Sequence, residues 1–305
     1  MIPGGSLTAL ATPFRGGTVD TEAFARCCER QITRGTSALV VCGSTGEAPA
    51  LTQEEQALLL RLAVATANGR VPVIAGCSGP STEAAAGIAR QAARDGAAAL
   101  LCAPTPYVKP SQDGIIAHMR ALSQASALPL ILYDVPGRAG VQIRDETIAA
   151  LFRQGVAIGV KDATADLSRP ARLRALCGPD LLQLSGDDAT AAAYRAAGGH
   201  GCISVTANLM PFLCAQLHRS WDGADLGTFA HIRDLLAPLH DALFMETNPV
   251  PLKAGLELLQ LSSAELRLPL TCAQRATRER LSALLSRISS AEHALHPRAA
   301  NGLAA

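Results

Sequence analysis

The feature that most constrains the fold of this chain is a unit that repeats along its first two thirds. Each unit has a short apolar run, a turn rich in Gly, Ser, Thr or Pro, and a segment with the apolar periodicity of a helix. The eight apolar runs span residues 7–12, 38–42, 73–76, 98–102, 130–133, 157–161, 181–185 and 202–205. The helical segments between them span residues 21–33, 53–68, 82–94, 112–126, 144–153, 167–176 and 188–197.

Runs that are apolar at nearly every position indicate strands buried on both faces, as in a parallel sheet. Eight such units close most economically into a (β/α)8 barrel, so we predict an α/β protein with TIM-barrel architecture. An open doubly wound sheet is the alternative, but no G-x-G-x-x-G turn follows the first apolar run.

The repeat ends near Leu226. Residues 225–244, 250–261 and 272–293 have the pattern of helices, and Pro249 and Pro269 interrupt the joins between them. We therefore predict a catalytic barrel over residues 1–225 and a C-terminal three-helix appendage over residues 226–293. The small and polar residues 294–305 are predicted to be a disordered tail.

Composition narrows the classes of partner. A net charge of +1, with both signs spread along the chain, argues against nucleic acid or a membrane surface as the main partner. The chain shows no long uncharged apolar stretch and no basic segment followed by an apolar one at its start, so we expect neither a membrane span nor a secretory signal. Nine cysteines without C-x-x-C spacing suggest reduced thiols in a cytoplasmic protein.

A metal-dependent reaction would need histidines and carboxylates together at the strand ends. Only His200 lies near a predicted barrel strand, and it precedes that strand. The other six histidines are scattered along the chain, and we expect them to be exposed: His118, His218, His231, His240, His293 and His296. We therefore predict no metal and no cofactor.

Lys161 ends the sixth apolar run and is one of only three lysines in the chain. Lysine is rarely buried unless it is paired or used. Unlike arginine, it can lose its proton and attack a carbonyl. Two interpretations are open at this point: a lysine that extends from a strand end into solvent, or a Schiff-base nucleophile.

In a barrel of this kind, the residues that follow the strands build the active site. They include GSTGE at 43–47, PTPY at 104–107, YDVPGR at 133–138, KDAT at 161–164 and GDD at 186–188. Tyr107 and Tyr133 meet Lys161 at this end, which favours the nucleophile. Tyr133 is a candidate proton shuttle, and the hydroxyls of Ser44 and Thr45 are candidates to relay a proton or bind a carboxylate.

Arg138 and the turn at residues 43–47 each have two interpretations. Arg138 either binds a second carboxylate through paired hydrogen bonds or is an ordinary surface arginine. The segment 43–47 either supplies groups for proton relay or carboxylate binding, or is only a tight turn in which Glu47 caps the next helix. We expect Asp187 and Asp188 to cap a helix, and they disfavour a phosphorylated substrate at this position.

Several motifs together resemble the dihydrodipicolinate synthase and N-acetylneuraminate lyase family of pyruvate-dependent class I aldolases. The resemblance covers roughly residues 5 to 293. It rests on GSTGE (43–47), YDVPGR (133–138), GVKDAT (159–164), LSGDD (184–188), GGHGCISVTAN (198–208), ETNPVPLK (246–253) and RLPLT (267–271).

The resemblance implies a role for each candidate. Lys161 would form a Schiff base with pyruvate, and Tyr133 would pass protons through Ser44 and through a Tyr107 from a neighbouring subunit. It further implies a homotetramer built as a dimer of dimers. The binding residues would be Thr45 and the backbone of Ile203 for the pyruvate carboxylate, and Arg138 for L-aspartate 4-semialdehyde.

Three positions depart from the usual synthase pattern. Ser44 stands where threonine is more frequent, Asp134 where asparagine is frequent, and Pro106 where many synthases have a second tyrosine. Because that tyrosine helps to form the lysine feedback site in many synthases, we expect weak or absent inhibition by lysine.

Two alternatives to the synthase remain open. Another pyruvate-dependent lyase or dehydratase of the family would act on a 2-keto-3-deoxy sugar acid, sialic acid or a hydroxyproline-derived keto acid. It would share Lys161 and Tyr133, whereas Arg138 favours the synthase. A non-catalytic ligand-binding barrel is disfavoured by the intact set of Lys161, Tyr133 and hydroxyl groups.

Overall fold

The computed structural model describes residues 2–295, and within them eight parallel strands form a closed barrel. The strands, numbered here first to eighth, are Gly5–Ala9, Ala38–Val41, Val73–Gly76, Ala99–Cys102, Leu130–Asp134, Gly159–Asp162, Leu182–Ser185 and Gly201–Ser204. Strands adjacent in sequence are paired, and the first strand closes the barrel against the eighth with Leu7 opposite Ile203. The predicted TIM barrel is confirmed, and the open sheet is excluded.

A helix follows each barrel strand. These helices are Thr21–Thr33, Gln53–Ala67, Thr82–Arg94, Gln112–Ala125, Asp145–Arg153, Arg169–Cys177, Ala191–Ala196 and Pro211–Asp222. The last of them was not among the predicted segments. The connections hold further short elements: a hairpin of Phe14–Arg15 with Thr18–Val19, 3-10 turns at Ala48–Ala50 and Thr206–Asn208, and a helix at Pro136–Ala139.

Several barrel helices begin where a polar side chain satisfies an otherwise free backbone N–H group. The Ser81 hydroxyl accepts a hydrogen bond from the N–H of Ala84, and Asp20 accepts one from Ala23. Thr52 and Glu55 bond reciprocally to each other's backbone in a capping box. These signals explain why the predicted starts of these helices agree with the structure.

The strands are buried on both faces, as their composition requires. Leu7, Ile74 and Ile203 belong to the cluster inside the barrel. Leu100 and Leu132 belong to a second cluster, which lies between the strands and the surrounding helices. Alternate residues of each strand therefore stabilise two separate apolar layers.

Three further helices follow the barrel: Leu226–Ala242, Val250–Leu258 and Arg275–Leu295. They share a buried cluster with the eighth barrel helix, in which Leu213 joins Leu236, Leu252 and Leu284. Glu292 adds a polar link, because its carboxylate accepts hydrogen bonds from the first turn of that barrel helix. The three predicted helices are present, and the domain division at residues 225/226 stays a prediction. The last helix extends to Leu295, and the rest of the predicted tail lies outside the described residues.

The expectation of exposure is correct for His231 and His293 and wrong for three other histidines, whereas His296 lies outside the described residues. His118, His218 and His240 are buried, because they lie on the inner faces of helices. Burial lowers the pKa of His218 to about 4. No helix of residues 2–295 is long and apolar enough to cross a membrane. In the same range, no cluster of three or more His, Cys, Asp or Glu side chains is arranged to hold a metal.

Candidate active site

Lys161 and Tyr133 are direct neighbours on adjacent strands. They are register partners of the sixth and fifth strands, and the next pair along is Asp162 with Asp134. The Lys161 Nζ atom lies over the Tyr133 ring, 4.3 Å from its centroid. Both side chains are buried, with 6% of Lys161 and 9% of Tyr133 exposed. The structure therefore excludes the solvent-exposed interpretation of Lys161.

Two of the three lysines are buried, and their partners distinguish them. Lys253 Nζ lies 2.5 Å from the Glu47 carboxylate and donates a hydrogen bond to the Glu265 carbonyl at 2.6 Å. Burial lowers the pKa of Lys253, and the hydrogen bond to Glu47 opposes that change. Among the described residues, no hydrogen bond or salt bridge engages Lys161 Nζ. Lys161 thus holds the buried amine that is available for covalent chemistry.

The Lys161 side chain lies close to Gly186, the residue that follows the seventh strand. A Cβ atom at Gly186 would lie 3.1 Å from Lys161 Cε and 2.9 Å from Ala163 Cβ. Both distances are tighter than ordinary van der Waals contacts. Gly186 therefore allows the lysine stem to pass close to the seventh strand.

The turn after the second strand places Ser44 and Thr45. It is tightly bent, since Cys42 and Glu47 at its two ends adopt left-handed backbone angles, with φ of 57° and 54°. The Thr12 hydroxyl donates to the Gly46 carbonyl at 2.7 Å and holds the turn against the first strand end. This hydrogen bond restrains the backbone of the turn that carries Ser44 and Thr45.

Glu47 does not cap a helix, because its side chain makes no capping hydrogen bond. Its carboxylate instead pairs with Lys253 and accepts a hydrogen bond from the backbone N–H of Arg267 at 3.1 Å. Lys253 also lies over the Phe14 ring, 4.0 Å from the centroid. The C-terminal helical segment therefore anchors the turn that carries Ser44 and Thr45.

Asn248 connects two of the predicted binding residues. Its Nδ2 group donates to Thr45 Oγ1 at 3.0 Å, and its backbone carbonyl accepts from Arg138 Nη2 at 2.9 Å. Thr45 is buried, whereas Arg138 is exposed to the cavity at this end of the barrel. Asn248 thereby sets the relative positions of two groups suited to binding carboxylates.

A cavity of about 870 Å³ opens at the carboxyl ends of the strands. Ser44, Tyr133, Arg138 and Asn248 are among the residues that line it. Ile203 is buried in the eighth strand, in the same apolar cluster as Tyr133. Six of the predicted site residues thus gather at this end: Lys161, Tyr133, Ser44, Thr45, Arg138 and Ile203.

Tyr107 is the predicted residue that does not join this group. Its side chain is 94% exposed, and it does not line the cavity of its own chain. Its backbone adopts a left-handed φ of 74°. The Tyr107 side chain is therefore exposed on the surface of the folded chain.

Asp188 also differs from its predicted role, because the seventh barrel helix begins after Thr190 and not at the aspartates. The buried Asp188 carboxylate accepts hydrogen bonds from the N–H groups of Val205 at 2.7 Å and Thr206 at 3.1 Å. Asp187 instead accepts from Thr190, at the start of that helix. Asp188 therefore fixes the loop that follows the eighth strand.

Sequence reasoning missed several residues that organise the site: Asn248, Lys253, Gly186 and Arg169. Asn248 and Lys253 lie in the motif 246–253, but nothing in their spacing indicated contact with the turn at 43–47. The low lysine count was a usable signal for Lys253, because it singles out that residue as well as Lys161. Arg169 opens a helix and gave no sign of burial.

The arrangement combines a buried amine, a phenol beside it, hydroxyl groups on a fixed turn and a guanidinium at the cavity wall. An amine of this kind can add to a carbonyl carbon, while the phenol and hydroxyls move protons to and from the adduct. The guanidinium and the Thr45 hydroxyl can hold carboxylates at two positions. The geometry supports Schiff-base chemistry on a keto acid.

Comparison with known proteins gives a consistent result. The model of the dihydrodipicolinate synthetase family matches residues 2–288. The 4-hydroxy-tetrahydrodipicolinate synthase of Rhodospirillum centenum is 47% identical over 281 residues, which cover 92% of this chain and 97% of that protein.

Solved structures are similar over nearly the whole fold. The dihydrodipicolinate synthase of Thermotoga maritima matches with a TM-score of 0.92 and 34% identity, covering 95% of this chain and 99% of the other. The chloride-inhibited dihydrodipicolinate synthase of Acinetobacter baumannii was solved in complex with pyruvate. It matches with a TM-score of 0.91 and 36% identity, covering 95% of this chain and 99% of the other.

Proposed function

This chain belongs to the dihydrodipicolinate synthetase family, and on that premise we propose that it condenses pyruvate with L-aspartate 4-semialdehyde. The product is 4-hydroxy-tetrahydrodipicolinate, and the reaction is the first committed step toward diaminopimelate and lysine. The observation that carries the proposal is the buried Lys161 amine, which lies beside Tyr133 and forms no ion pair within residues 2–295.

Lys161 starts the reaction as a nucleophile. Its uncharged amine adds to the keto carbon of pyruvate, and the resulting carbinolamine loses water to give an imine. Loss of a proton from the pyruvate methyl carbon gives an enamine, which attacks the aldehyde carbon of the second substrate. The amino group of that substrate then attacks the imine carbon, closes the ring and releases Lys161.

Each proton transfer needs a group within hydrogen-bond reach. Tyr133 takes this role, with Ser44 and the Tyr107 of a neighbouring subunit as its relay partners. The position of Ser44 on the cavity wall together with Tyr133 supports the assignment. Serine keeps the hydroxyl of the more frequent threonine, so the relay does not require the methyl group.

The two substrates each carry a carboxylate, and the two carboxylates bind at different distances from Lys161. Thr45 and the backbone of Ile203 hold the pyruvate carboxylate close to Lys161. Arg138 binds the carboxylate of L-aspartate 4-semialdehyde, because its guanidinium reaches the cavity and can form paired hydrogen bonds. The Asn248 bridge between Thr45 and Arg138 supports a fixed spacing between the two substrates.

A dimer is the smallest assembly in which Tyr107 can serve a neighbouring site, and we propose a homotetramer built from two such dimers. The exposure of Tyr107 and of the adjacent Val108, 94% and 61%, supports a subunit contact at this loop. All nine cysteines are free thiols, which supports a reducing compartment, the cytoplasm. The barrel and the C-terminal helices are taken as two domains that meet at residues 225/226.

The alternative is a family member that cleaves or dehydrates a 2-keto-3-deoxy sugar acid, sialic acid or a hydroxyproline-derived keto acid. It shares Lys161 and Tyr133, so these residues do not discriminate. Arg138 on the cavity wall and the names of the relatives favour the synthase.

A coupled assay tests the proposed reaction directly. The purified protein receives pyruvate, L-aspartate 4-semialdehyde and the reductase that consumes the product, and turnover is compared with turnover on sugar-acid substrates. We expect the condensation to be much faster, and Arg138→Ala to raise the KM for the semialdehyde. The exposed Arg144 provides a matched control through Arg144→Ala. Faster turnover of a sugar acid would contradict the proposal.

A further inference from the structure

A charged network lies directly beyond the Lys161 and Tyr133 pair. The next register pair on the same two strands is Asp162 with Asp134, and both carboxylates are buried. Arg169 Nη1 lies 2.7 Å from Asp134 Oδ2 and 3.0 Å from Asp162 Oδ1. One guanidinium nitrogen therefore joins the residues that follow the proposed nucleophile and the proposed proton shuttle.

The rest of the Arg169 side chain bonds to the connection after the fifth strand. Its Nη2 group donates to the Ile143 carbonyl at 2.6 Å, and its Nε group donates to Asp145 at 2.8 Å. Asp134 completes the network, because its other oxygen accepts from the Ile143 N–H at 3.0 Å. The guanidinium is fully buried, and its hydrogen bonds fix two strand ends and one loop together.

Stability alone does not account for such a network. Taking charges out of water is unfavourable, and apolar side chains of similar volume often replace a buried ion pair without loss of stability. Burial raises the pKa of Asp134 even though Arg169 and the Ile143 N–H oppose that change. What the network provides is geometry, since the planar fork of arginine imposes distances and directions that apolar packing does not.

We propose that Arg169 is a positioning residue that, through Asp134 and Asp162, fixes the Tyr133 hydroxyl relative to Lys161 Nζ. A small displacement between the two groups would slow proton transfer to the carbinolamine without removing the amine. This inference rests on the proposed Schiff-base function. It also gives a role to Asp134, the position at which this chain departs from the usual asparagine.

The network holds the carboxyl ends of the fifth and sixth strands at a fixed spacing. Lys161 and Tyr133 lie on different strands, so their spacing depends on how those strands are held at their carboxyl ends. Asp134 and Asp162 are the last residues of these two strands, and Arg169 contacts both. Loss of the guanidinium leaves two buried carboxylates that repel each other at this point.

The experiment compares turnover per functional lysine in the full-length protein. The fraction of lysine that forms an imine is counted by borohydride trapping with saturating pyruvate after long incubation, and kcat is divided by that fraction. For Arg169→Met and for Arg169→Lys we expect turnover per trapped lysine to fall about ten-fold or more, since small misplacements of reacting groups have effects of this size. Arg169→Lys keeps the charge but loses the fork.

Arg172→Met is the matched control. Arg172 lies one turn along the same helix and also pairs with Asp145, but it is exposed and does not contact Asp134 or Asp162. We expect its turnover per trapped lysine to equal that of the native protein. A residue that only stabilises the fold would lower kcat and the trapped fraction together and leave their ratio unchanged.

Asp134 provides a second test if the Arg169 variants do not fold. The amide oxygen of Asp134→Asn can still accept a hydrogen bond from Arg169, whereas Asp134→Ala removes the contact. We expect Asp134→Ala to lose turnover per trapped lysine and Asp134→Asn to retain most of it. Equal turnover per trapped lysine in Asp134→Ala and Asp134→Asn would overturn the inference. Native turnover per trapped lysine in Arg169→Met would also overturn it. Failure of the native protein to trap pyruvate would instead contradict the proposed function.

Discussion

Lys161 Nζ lies over the ring of Tyr133, 4.3 Å from the ring centroid, because the two residues are register partners on adjacent parallel strands. The contact leaves the amine without an ion pair to a carboxylate among the described residues. It also brings a phenol next to the atom at which the proposed carbinolamine would form. The register of two strands therefore places the proposed nucleophile beside the proposed proton shuttle.

Tyr133→Phe separates these two effects. The variant keeps the ring under the amine but lacks the hydroxyl, so we expect kcat to fall by roughly 10²- to 10⁴-fold, the usual contribution of a general acid or base. Lys161 should still be trapped by pyruvate and borohydride after long incubation, because the nucleophile is intact. A variant with native kcat would show that Tyr133 is not the proton shuttle.

Gly186→Ala tests the space that the Lys161 side chain needs. The new methyl group would meet Lys161 Cε at 3.1 Å and Ala163 Cβ at 2.9 Å, so the lysine stem must shift. We expect the rate of imine formation to fall by at least about ten-fold, with the secondary structure unchanged by circular dichroism. Gly87→Ala, at a helix position where only a distant Arg90 nitrogen lies near the new methyl group, should have native activity. Native rates in Gly186→Ala would contradict the packing of Lys161 against this glycine.

Lys253→Met tests the buried pair with Glu47. The substitution leaves a buried carboxylate without its cation, so we expect the free energy of unfolding to fall by about 3–5 kcal/mol in urea denaturation. The double variant Lys253→Met with Glu47→Gln should recover part of that loss, because the glutamine is neutral and can still accept from the Arg267 N–H. No difference between the single and double variants would show that the two side chains are not coupled.

His218 makes stability depend on pH. Its folded-state pKa is about 4 because of burial, below the ordinary value of 6.5, so it stabilises the fold fully above pH 6.5. That contribution is lost as the pH falls toward 4, since the unfolded chain then binds a proton that the folded chain does not. Between about pH 7.5 and about pH 5, the native protein should lose about 2 kcal/mol more unfolding free energy than His218→Leu. Parallel losses in urea denaturation would show that His218 does not carry this effect.

Periodicity and composition predicted the barrel because the driving force is repeated in every unit. Strands such as Leu130–Asp134 are apolar on both faces, and the helix caps at Thr52 and Ser81 are local signals. Lys161 and Tyr133 could be placed together because parallel strands end at one edge. Local sequence signals and the common direction of parallel strands were sufficient to predict these features.

Contacts distant in sequence could not be predicted in the same way. Asn248 donates to Thr45 across 203 positions, and Lys253 reaches Glu47 from a helix beyond the barrel. Arg169 has the sequence context of an ordinary first-turn residue, and its burial depends on three carboxylates from other elements. The motifs indicated the reactive groups, but the contacts that position these groups depend on packing between elements distant in sequence.

Borohydride reduction in the presence of pyruvate tests the central assignment most directly. The trapped protein is digested, and the peptides that contain Lys109, Lys161 and Lys253 are compared by mass spectrometry, so that the other two lysines act as internal controls. We predict one reduced pyruvate adduct on the Lys161 peptide and none in the variant Lys161→Arg. An adduct on Lys253, or no adduct on any of the three peptides, would contradict the assignment of Lys161 as the nucleophile.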